Sequence, residues 1–202
     1  MVVSTDDEEI AEVAREYGAE LPFTRPPELA DDHTPTVPVI AHAIETLRSE
    51  GWALENVACV YPGVPLLDAH DVAGALEVLT ANGGGGYAFP VAPFPSAIQR
   101  ALQREDTGKS APFHPEHALT RTQDLEPAYY DAGQFYWAHA DTWLAGGTIH
   151  LDARTVVLPE WRVVDIDTPE DWDRAEIAYE ALKARVSASL LQLDDLIESL
   201  EK

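Results

Sequence analysis

The chain has 202 residues with 36 acidic and 13 basic side chains, which gives a formal net charge of −23 at pH 7. A surface of this sign repels phosphate backbones, so nucleic acid is not an expected partner. No apolar run reaches the roughly 18 residues of a membrane span, and the first residues lack the basic and apolar pattern of a signal peptide. We therefore expect a soluble, cytoplasmic protein that does not bind a membrane.

The acidic excess is spread along the whole chain instead of forming one tail. This distribution is typical of proteins that work in concentrated salt, where the Debye length falls to about 3 Å at 1 M and self-repulsion is screened. The composition therefore predicts a halophilic protein, with an acidic protein from a low-salt organism as the alternative. The single cysteine, Cys59, excludes an internal disulfide and a thiolate metal cluster.

Helices and strands alternate along the chain. Ile10, Val13 and Tyr17 recur at the spacing of one helical face, which predicts a first helix with an apolar side. Thr168 followed by Pro169 and two acids is typical of the start of a helix. In chain order, we predict a strand end at 2–3, helices at about 6–17, 38–47 and 68–81, strands at 56–61, 87–91, 134–138, 155–158 and 162–166, and a last helix to about 200. The alternation indicates one α/β domain around a parallel sheet.

An apolar stripe lies along the last predicted helix. It covers about two heptads, too few to establish a coiled coil. Two interpretations stay open, because the stripe could pack back on the sheet or form a dimer contact. Its residues are Leu182, Val186, Leu193, Leu196, Ile197 and Leu200.

The glycine run 83–86 is not expected to bind phosphate. Phosphate loops lie between a strand and the helix that follows it, whereas here the order is helix, glycines, strand. The histidines show no HExxH or other spacing that indicates a metal site, and Cys59 within an apolar strand is expected to be inert.

Two carboxylates lie at the end of the predicted strand 162–166. Asp165 and Asp167 are two residues apart, which places both side chains on the same side of a strand. Ligands of open α/β sheets bind outside such strand ends, and paired carboxylate oxygens suit Mg²⁺. Asp165 also lies in an apolar stretch, where an unpaired charge is costly. The pair predicts a magnesium site, and Asp167 as a simple turn acid is the alternative.

Two further segments are candidate ligand contacts. Residues 123–137 gather hydroxyls, an amide and aromatic rings around Gly133, which suits a sugar and equally suits a tyrosine-rich strand edge. Arg25 precedes two prolines in the loop 25–32, where a guanidinium could bind phosphate or the edge of a base.

Four segments together resemble the acylneuraminate cytidylyltransferases, the CMP-sialic acid synthetases: residues 4–11, 25–30, 61–66 and 165–167. The stretches 127–137 (PAYYDAGQFYW) and 165–172 (DIDTPEDW) look most like the pseudaminic acid branch of that family. The resemblance extends over about residues 2–184. It implies a three-layer Rossmann-like nucleotide-diphospho-sugar transferase fold, N-terminally truncated, over residues 1–185, with 186–202 as a C-terminal helical extension.

The resemblance also implies a chemistry. Members of the family join CTP to a nine-carbon acidic sugar (a nonulosonic acid of the pseudaminic or sialic acid type) with Mg²⁺, release pyrophosphate and usually form homodimers. The anomeric hydroxyl of the sugar attacks the α-phosphorus of CTP. Residue by residue, the resemblance gives Asp165 and Asp167 the catalytic and metal-binding role, Arg25 a nucleotide contact, and Gln134, Tyr136, Gln123 and Arg121 contacts with the sugar.

The sequence departs from the family at its start. The family opens with a strand, a glycine-rich basic loop that cradles the CTP phosphates, and a helix, a βα unit of roughly thirty or more residues that we expect to be missing here. Gly63 and Val64 also replace small hydroxyl or alanine residues. Two functions therefore stay open: a cytidylyltransferase, or a catalytically inactive remnant that binds a sugar acid or a partner subunit.

Overall fold

Helices and strands alternate in the computed structural model, which describes residues 1–81, 83 and 85–200, with side chains as far as residue 187. The helices are α1 (Glu8–Glu16), α2 (Thr36–Ser49), α3 (Ala69–Ala81), α4 (Ala140–Ala145) and α5 (Pro169–Leu200). The strands are β1 (Asn56–Val60), β2 (Tyr87–Pro93), β3 (Leu102–Arg104), β4 (Ser110–Pro112), β5 (Tyr129–Asp131), β6 (Phe135–His139) and β7 (Arg154–Val157). Within this described part, no helix is long and apolar enough to cross a membrane.

The chain divides into two compact units, each assembled from three stretches of sequence. The first unit comprises Met1–Cys59, Leu76–Ala88 and Tyr136–Arg154. The second unit comprises Val60–Ala75, Phe89–Phe135 and Thr155–Lys202.

In the first unit, β6 lies between β1 and the first residues of β2. Tyr87 pairs with Ala138 in an antiparallel register. Trp143 of α4 is fully buried beneath these strands, donates from its indole N–H to the Val57 carbonyl (3.1 Å), and packs edge-to-face against Tyr87. The indole therefore fills the core while its polar atom is satisfied.

The first helix forms as predicted, but its apolar face is not buried. Asp7 caps α1 by accepting a hydrogen bond from the Ile10 N–H at 3.0 Å. Ile10, Val13 and Tyr17 are exposed, and Ala11 is the buried residue of the helix. The 3.6-residue spacing predicted the helix correctly, whereas burial depends on what packs over it.

In the second unit, the remainder of β2 pairs antiparallel with β5, with Val91 opposite Asp131, and β7 also pairs with β2. Strands β3 and β4 form a separate antiparallel hairpin. The core beside α5 contains Leu66, Val164 and Ala175, with Ile166, Ala178 and Leu182 packed against it.

Two predictions about the sheet are wrong. Residues 162–166 do not form a strand, because Glu160–Arg162 is a short 3₁₀-helix and 163–166 has no regular secondary structure. The pairings of β2 with β5 and with β6 are antiparallel, not parallel. An apolar run indicates that a segment is buried. Burial alone determines neither the direction of a strand nor whether the segment joins a sheet.

Two predicted features fall partly outside the described residues. Asn82 and Gly84, within or next to the glycine run, lie outside them, as do the side chains of Leu193, Leu196, Ile197 and Leu200. Of the described part of the stripe, Leu182 packs on the core of its own unit and Val186 is exposed.

Candidate active site

Asp165 lies in the second unit on the segment 163–166, which has no regular secondary structure and precedes α5. Val164 before it is buried, and Ile166 after it packs against the same apolar cluster. The Ile166 N–H donates to the Gly63 carbonyl at 2.9 Å. The two apolar neighbours of Asp165 therefore pack into the core of the second unit.

The Asp165 carboxylate lies against the backbone of two glycines. A Cβ atom placed on Gly63 would be 2.8 Å from Oδ1, and one placed on Gly133 would be 3.4 Å from Oδ2. Gly133 also has a φ of +63°, which favours glycine, and its N–H donates to Asp131 at 2.9 Å. The group that lies beside Gly133 is therefore a carboxylate of the chain itself.

The surroundings of Asp165 are acidic. Burial raises the pKa of its carboxyl group, the charge of Asp167 raises it further, and Asp171 adds a smaller effect in the same direction. The N–H of Ile166 opposes these effects. Burial is the larger of the causes that raise the pKa of Asp165.

Asp167 occupies the exposed turn before α5. Its backbone N–H donates to the Asp171 carboxylate at 3.3 Å, and the Thr168 N–H donates to the same oxygen at 3.0 Å. Asp171 in turn donates from its backbone to the Thr168 hydroxyl, so the predicted cap of α5 is confirmed. Asp167, Thr168, Trp172 and Asp173 line an open depression of about 480 Å³.

The donor set fits Mg²⁺ by its chemistry. The described residues contain no group of three or more His, Cys, Asp or Glu side chains placed to hold a metal ion. Magnesium is commonly held by one or two carboxylates, with water and substrate phosphate oxygens in its remaining positions. Asp165 and Asp167 supply two such carboxylates, and the glycine backbone beside Asp165 leaves room for that carboxylate.

Gln134 is buried beside this site and is 1% exposed. Its side-chain amide N–H donates to the backbone carbonyl of Arg162 at 3.3 Å. The backbone carbonyl of Gln134 accepts a hydrogen bond from the Tyr61 N–H at 2.9 Å. The predicted contact between Gln134 and the sugar stays a prediction, and the observed contacts of its side chain are internal.

Sequence reasoning missed a pair of ionic contacts at Arg162. The guanidinium lies 2.7 Å from a carboxylate oxygen of Asp71 and 3.3 Å from one of Asp68, and the Arg162 side chain is only 14% exposed. Asp68 also caps α3 through the His70 N–H, as its position predicted. An arginine between Trp161 and Val163 in an otherwise apolar stretch was the available signal.

Arg121 and Gln123, the weaker candidates, lie on the surface of the second unit around a 3₁₀-helix at Thr122–Asp124. The Arg121 guanidinium donates two hydrogen bonds to the Asp124 carboxylate, at 2.7 and 2.9 Å. Its described contacts are therefore local.

Arg25 and Tyr136 belong to the first unit. Arg25 donates from its guanidinium to the Ser4 hydroxyl (3.2 Å) and to the Ser4 carbonyl, and its backbone N–H donates to the Thr5 carbonyl. Tyr136 is 5% exposed within β6.

Burial raises the pKa of the Cys59 thiol to about 12, and the Arg25 charge acts weakly against this rise. The prediction that Cys59 is buried is confirmed.

Comparison with solved structures agrees with the predicted fold. The chain superimposes on CMP:2-keto-3-deoxy-manno-octonic acid synthetase, solved in complex with CTP, with a TM-score of 0.60 over 88% of this chain and 80% of that chain. The two sequences are 14% identical, so the likeness is one of fold. The predicted nucleotide-sugar transferase fold is thereby confirmed, with the antiparallel pairings as the correction.

Sequence comparison identifies the family. The chain is 38% identical over 180 residues to the pseudaminic acid cytidylyltransferase of Campylobacter jejuni serotype O:2, a match that covers 89% of this chain and 77% of that protein. It is 26% identical over 184 residues to the CMP-N,N'-diacetyllegionaminic acid synthase of Legionella pneumophila, covering 87% and 76% of the two chains. No protein-family model matches the sequence. On the strength of the first match, the chain belongs to the pseudaminic acid cytidylyltransferase family.

Proposed function

We propose that the chain transfers CMP from CTP to pseudaminic acid or a closely related nine-carbon sugar acid and releases pyrophosphate. The observation that carries the proposal is the 38% identity to the Campylobacter enzyme over 89% of this chain. The acidic pair at the start of α5 gives the proposal a chemical centre, because CTP carries its phosphates to the enzyme with a divalent cation.

Asp165 and Asp167 would hold Mg²⁺ with their carboxylate oxygens. When bound, the ion neutralises the charge that develops on the phosphate oxygens. The chain's own contribution is positional, since the backbone of Gly63 and Gly133 fixes the space that the Asp165 carboxylate occupies. A carboxylate held in one place does not have to reorganise as the reaction proceeds.

In the proposed reaction, the anomeric hydroxyl oxygen of the sugar bonds to the α-phosphorus, the bond from that phosphorus to the pyrophosphate oxygen breaks, and the hydroxyl proton is released to water. Arg25 would contact the nucleotide. Tyr136, Gln123 and Arg121 are proposed contacts with the sugar.

We also propose that the protein is a cytoplasmic, salt-adapted homodimer that uses Mg²⁺. The net charge of −23 supports salt adaptation. The exposed side chains of Trp172, Tyr179 and Val186 recur every seven residues on one face of α5 and support a dimer contact, since exposed apolar groups on one helix face favour association.

The test is pyrophosphate release from CTP and Mg²⁺ in molar KCl, with pseudaminic acid and sialic acid compared side by side. We expect release with pseudaminic acid and less with sialic acid. Two proteins should be assayed, this chain and a version that carries a glycine-rich basic loop ahead of residue 1. If neither protein releases pyrophosphate with either sugar, the proposal is contradicted.

A further inference from the structure

We propose that Gln134 is a positioning residue, which holds the segment carrying Asp165 and does not touch the sugar. The inference rests on the proposed function, in which Asp165 and Asp167 hold the divalent ion. It replaces the sugar contact that the sequence predicted for Gln134 with a role inside the protein.

The first argument is the placement of the side chain. Gln134 is 1% exposed, and its amide N–H donates to the carbonyl of Arg162, which lies three residues before Asp165. Replacing Gln134 with an apolar side chain removes this donor from the Arg162 carbonyl, which costs free energy in a part-buried position. The Gln134 amide therefore stabilises one conformation of the chain immediately before Asp165.

The second argument is that residue 134 joins three segments around one carboxylate. Its backbone carbonyl accepts the Tyr61 N–H, and two residues further on the Gly63 carbonyl accepts the Ile166 N–H, both at 2.9 Å. Its neighbour Gly133 lies against the Asp165 carboxylate. The segments 61–63, 133–134 and 162–166 are thus tied to one another on both sides of Asp165.

Arg162, whose carbonyl accepts the hydrogen bond from Gln134, is itself held in place by its side chain. The Arg162 guanidinium is held by Asp71 at 2.7 Å and by Asp68 at 3.3 Å, at the start of α3. The Arg162 carbonyl that Gln134 contacts therefore belongs to a residue whose side chain is fixed to a helix. Residues behind metal ligands typically change metal affinity by 10- to 100-fold when they are replaced.

The test uses Mn²⁺ as the probe, and free Mn²⁺ is followed by electron paramagnetic resonance in the 202-residue chain without nucleotide or sugar. The Mn²⁺ binding that is lost in Asp167→Asn is the binding that depends on the acidic pair. This loss distinguishes it from weak Mn²⁺ binding elsewhere on the acidic surface. Gln134→Met removes the amide at similar length, and Gln134→Asn keeps the amide but shortens its reach. The matched control is Gln99→Met, because Gln99 also donates to a backbone carbonyl of the second unit, that of Glu126, at 2.9 Å.

We expect both Gln134 variants to weaken the Asp167-dependent Mn²⁺ binding by about 10-fold or more. We expect Gln99→Met to change it less than twofold. Where turnover is measurable, the Gln134 variants should lower kcat and raise the Mg²⁺ requirement while the KM for the sugar stays within about twofold.

Mn²⁺ binding that is unchanged in both Gln134 variants, with a raised KM for the sugar, overturns the proposal in favour of a direct contact. The proposal also fails if Asp167→Asn leaves Mn²⁺ binding unchanged. If both Gln134 variants melt more than 10 °C below Gln99→Met, the role is structural and the proposal is again overturned. A chain that makes no CMP-sugar but shows the expected Mn²⁺ pattern contradicts the proposed function alone.

Discussion

At the scale of single residues, Asp165 and Cys59 show how burial changes the pKa of an ionisable side chain. Asp165 is partly buried beside other acids, and its carboxyl group titrates high. Cys59 is 8% exposed, and burial outweighs the favourable charge of Arg25. Burial disfavours the charged form of both groups, so it raises the pKa of each and leaves the Cys59 thiol unreactive.

The Cys59 thiol should resist alkylation. With a pKa of about 12, it is protonated throughout the range from pH 7 to pH 9, and the thiolate is the reactive form. We expect iodoacetamide at pH 8 to modify the folded chain at least a hundredfold more slowly than the chain unfolded in guanidinium, as measured by mass spectrometry. Comparable rates in the two states would show that the thiol is accessible.

At the scale of elements, the contacts of Arg162 join α3 to the 3₁₀-helix Glu160–Arg162. Arg162→Met leaves Asp71 without its cation, in a position where that carboxylate is 22% exposed. We expect a loss of about 3 kcal/mol in the free energy of unfolding, and a loss of about 1 kcal/mol for Arg162→Lys, which keeps the charge but not the fork of donors. Urea unfolding measures both.

The control for Arg162 is Arg48→Met in the first unit. Arg48 pairs with Asp141 at 2.8 Å, but the Asp141 side chain is 68% exposed. Exposed pairs contribute about 0–1 kcal/mol, so this variant should lose no more than that. Equal losses for Arg48→Met and Arg162→Met would show that burial does not distinguish the two pairs.

The elements also show which parts of the structure the sequence could predict. The start of α5 was predictable, because Thr168 and Asp171 cap it from within four residues. The segment 162–166 was not, because an extended stretch becomes a strand only when another strand pairs with it. The side chain of Gln134 forms its hydrogen bond with a backbone carbonyl 28 residues away in the sequence, so the sequence did not predict this contact. The acidic pair was predictable from its spacing and from the family resemblance.

At the scale of the whole molecule, the net charge of −23 governs the response to salt. Self-repulsion destabilises the compact state in dilute buffer, and added salt screens it. Between 0.05 and 2 M KCl we expect the midpoint of thermal unfolding to rise by about 5 °C or more, which corresponds to roughly 1–2 kcal/mol for a chain of this length. Sucrose at matched osmolality controls for solvent exclusion, and an equal rise in both solutes contradicts an electrostatic origin.

The central claim is that the acidic pair at the start of α5 is the centre of CMP transfer. The most direct measurement compares pyrophosphate release from CTP, Mg²⁺ and pseudaminic acid by the active protein and by its Asp167→Asn variant. We expect the variant to fold normally and to lose at least 100-fold in rate, because asparagine can still occupy the turn but supplies no charge to the metal. A variant that retains activity within a few-fold of its parent would contradict the account, since Asp167 would then be no more than a turn residue.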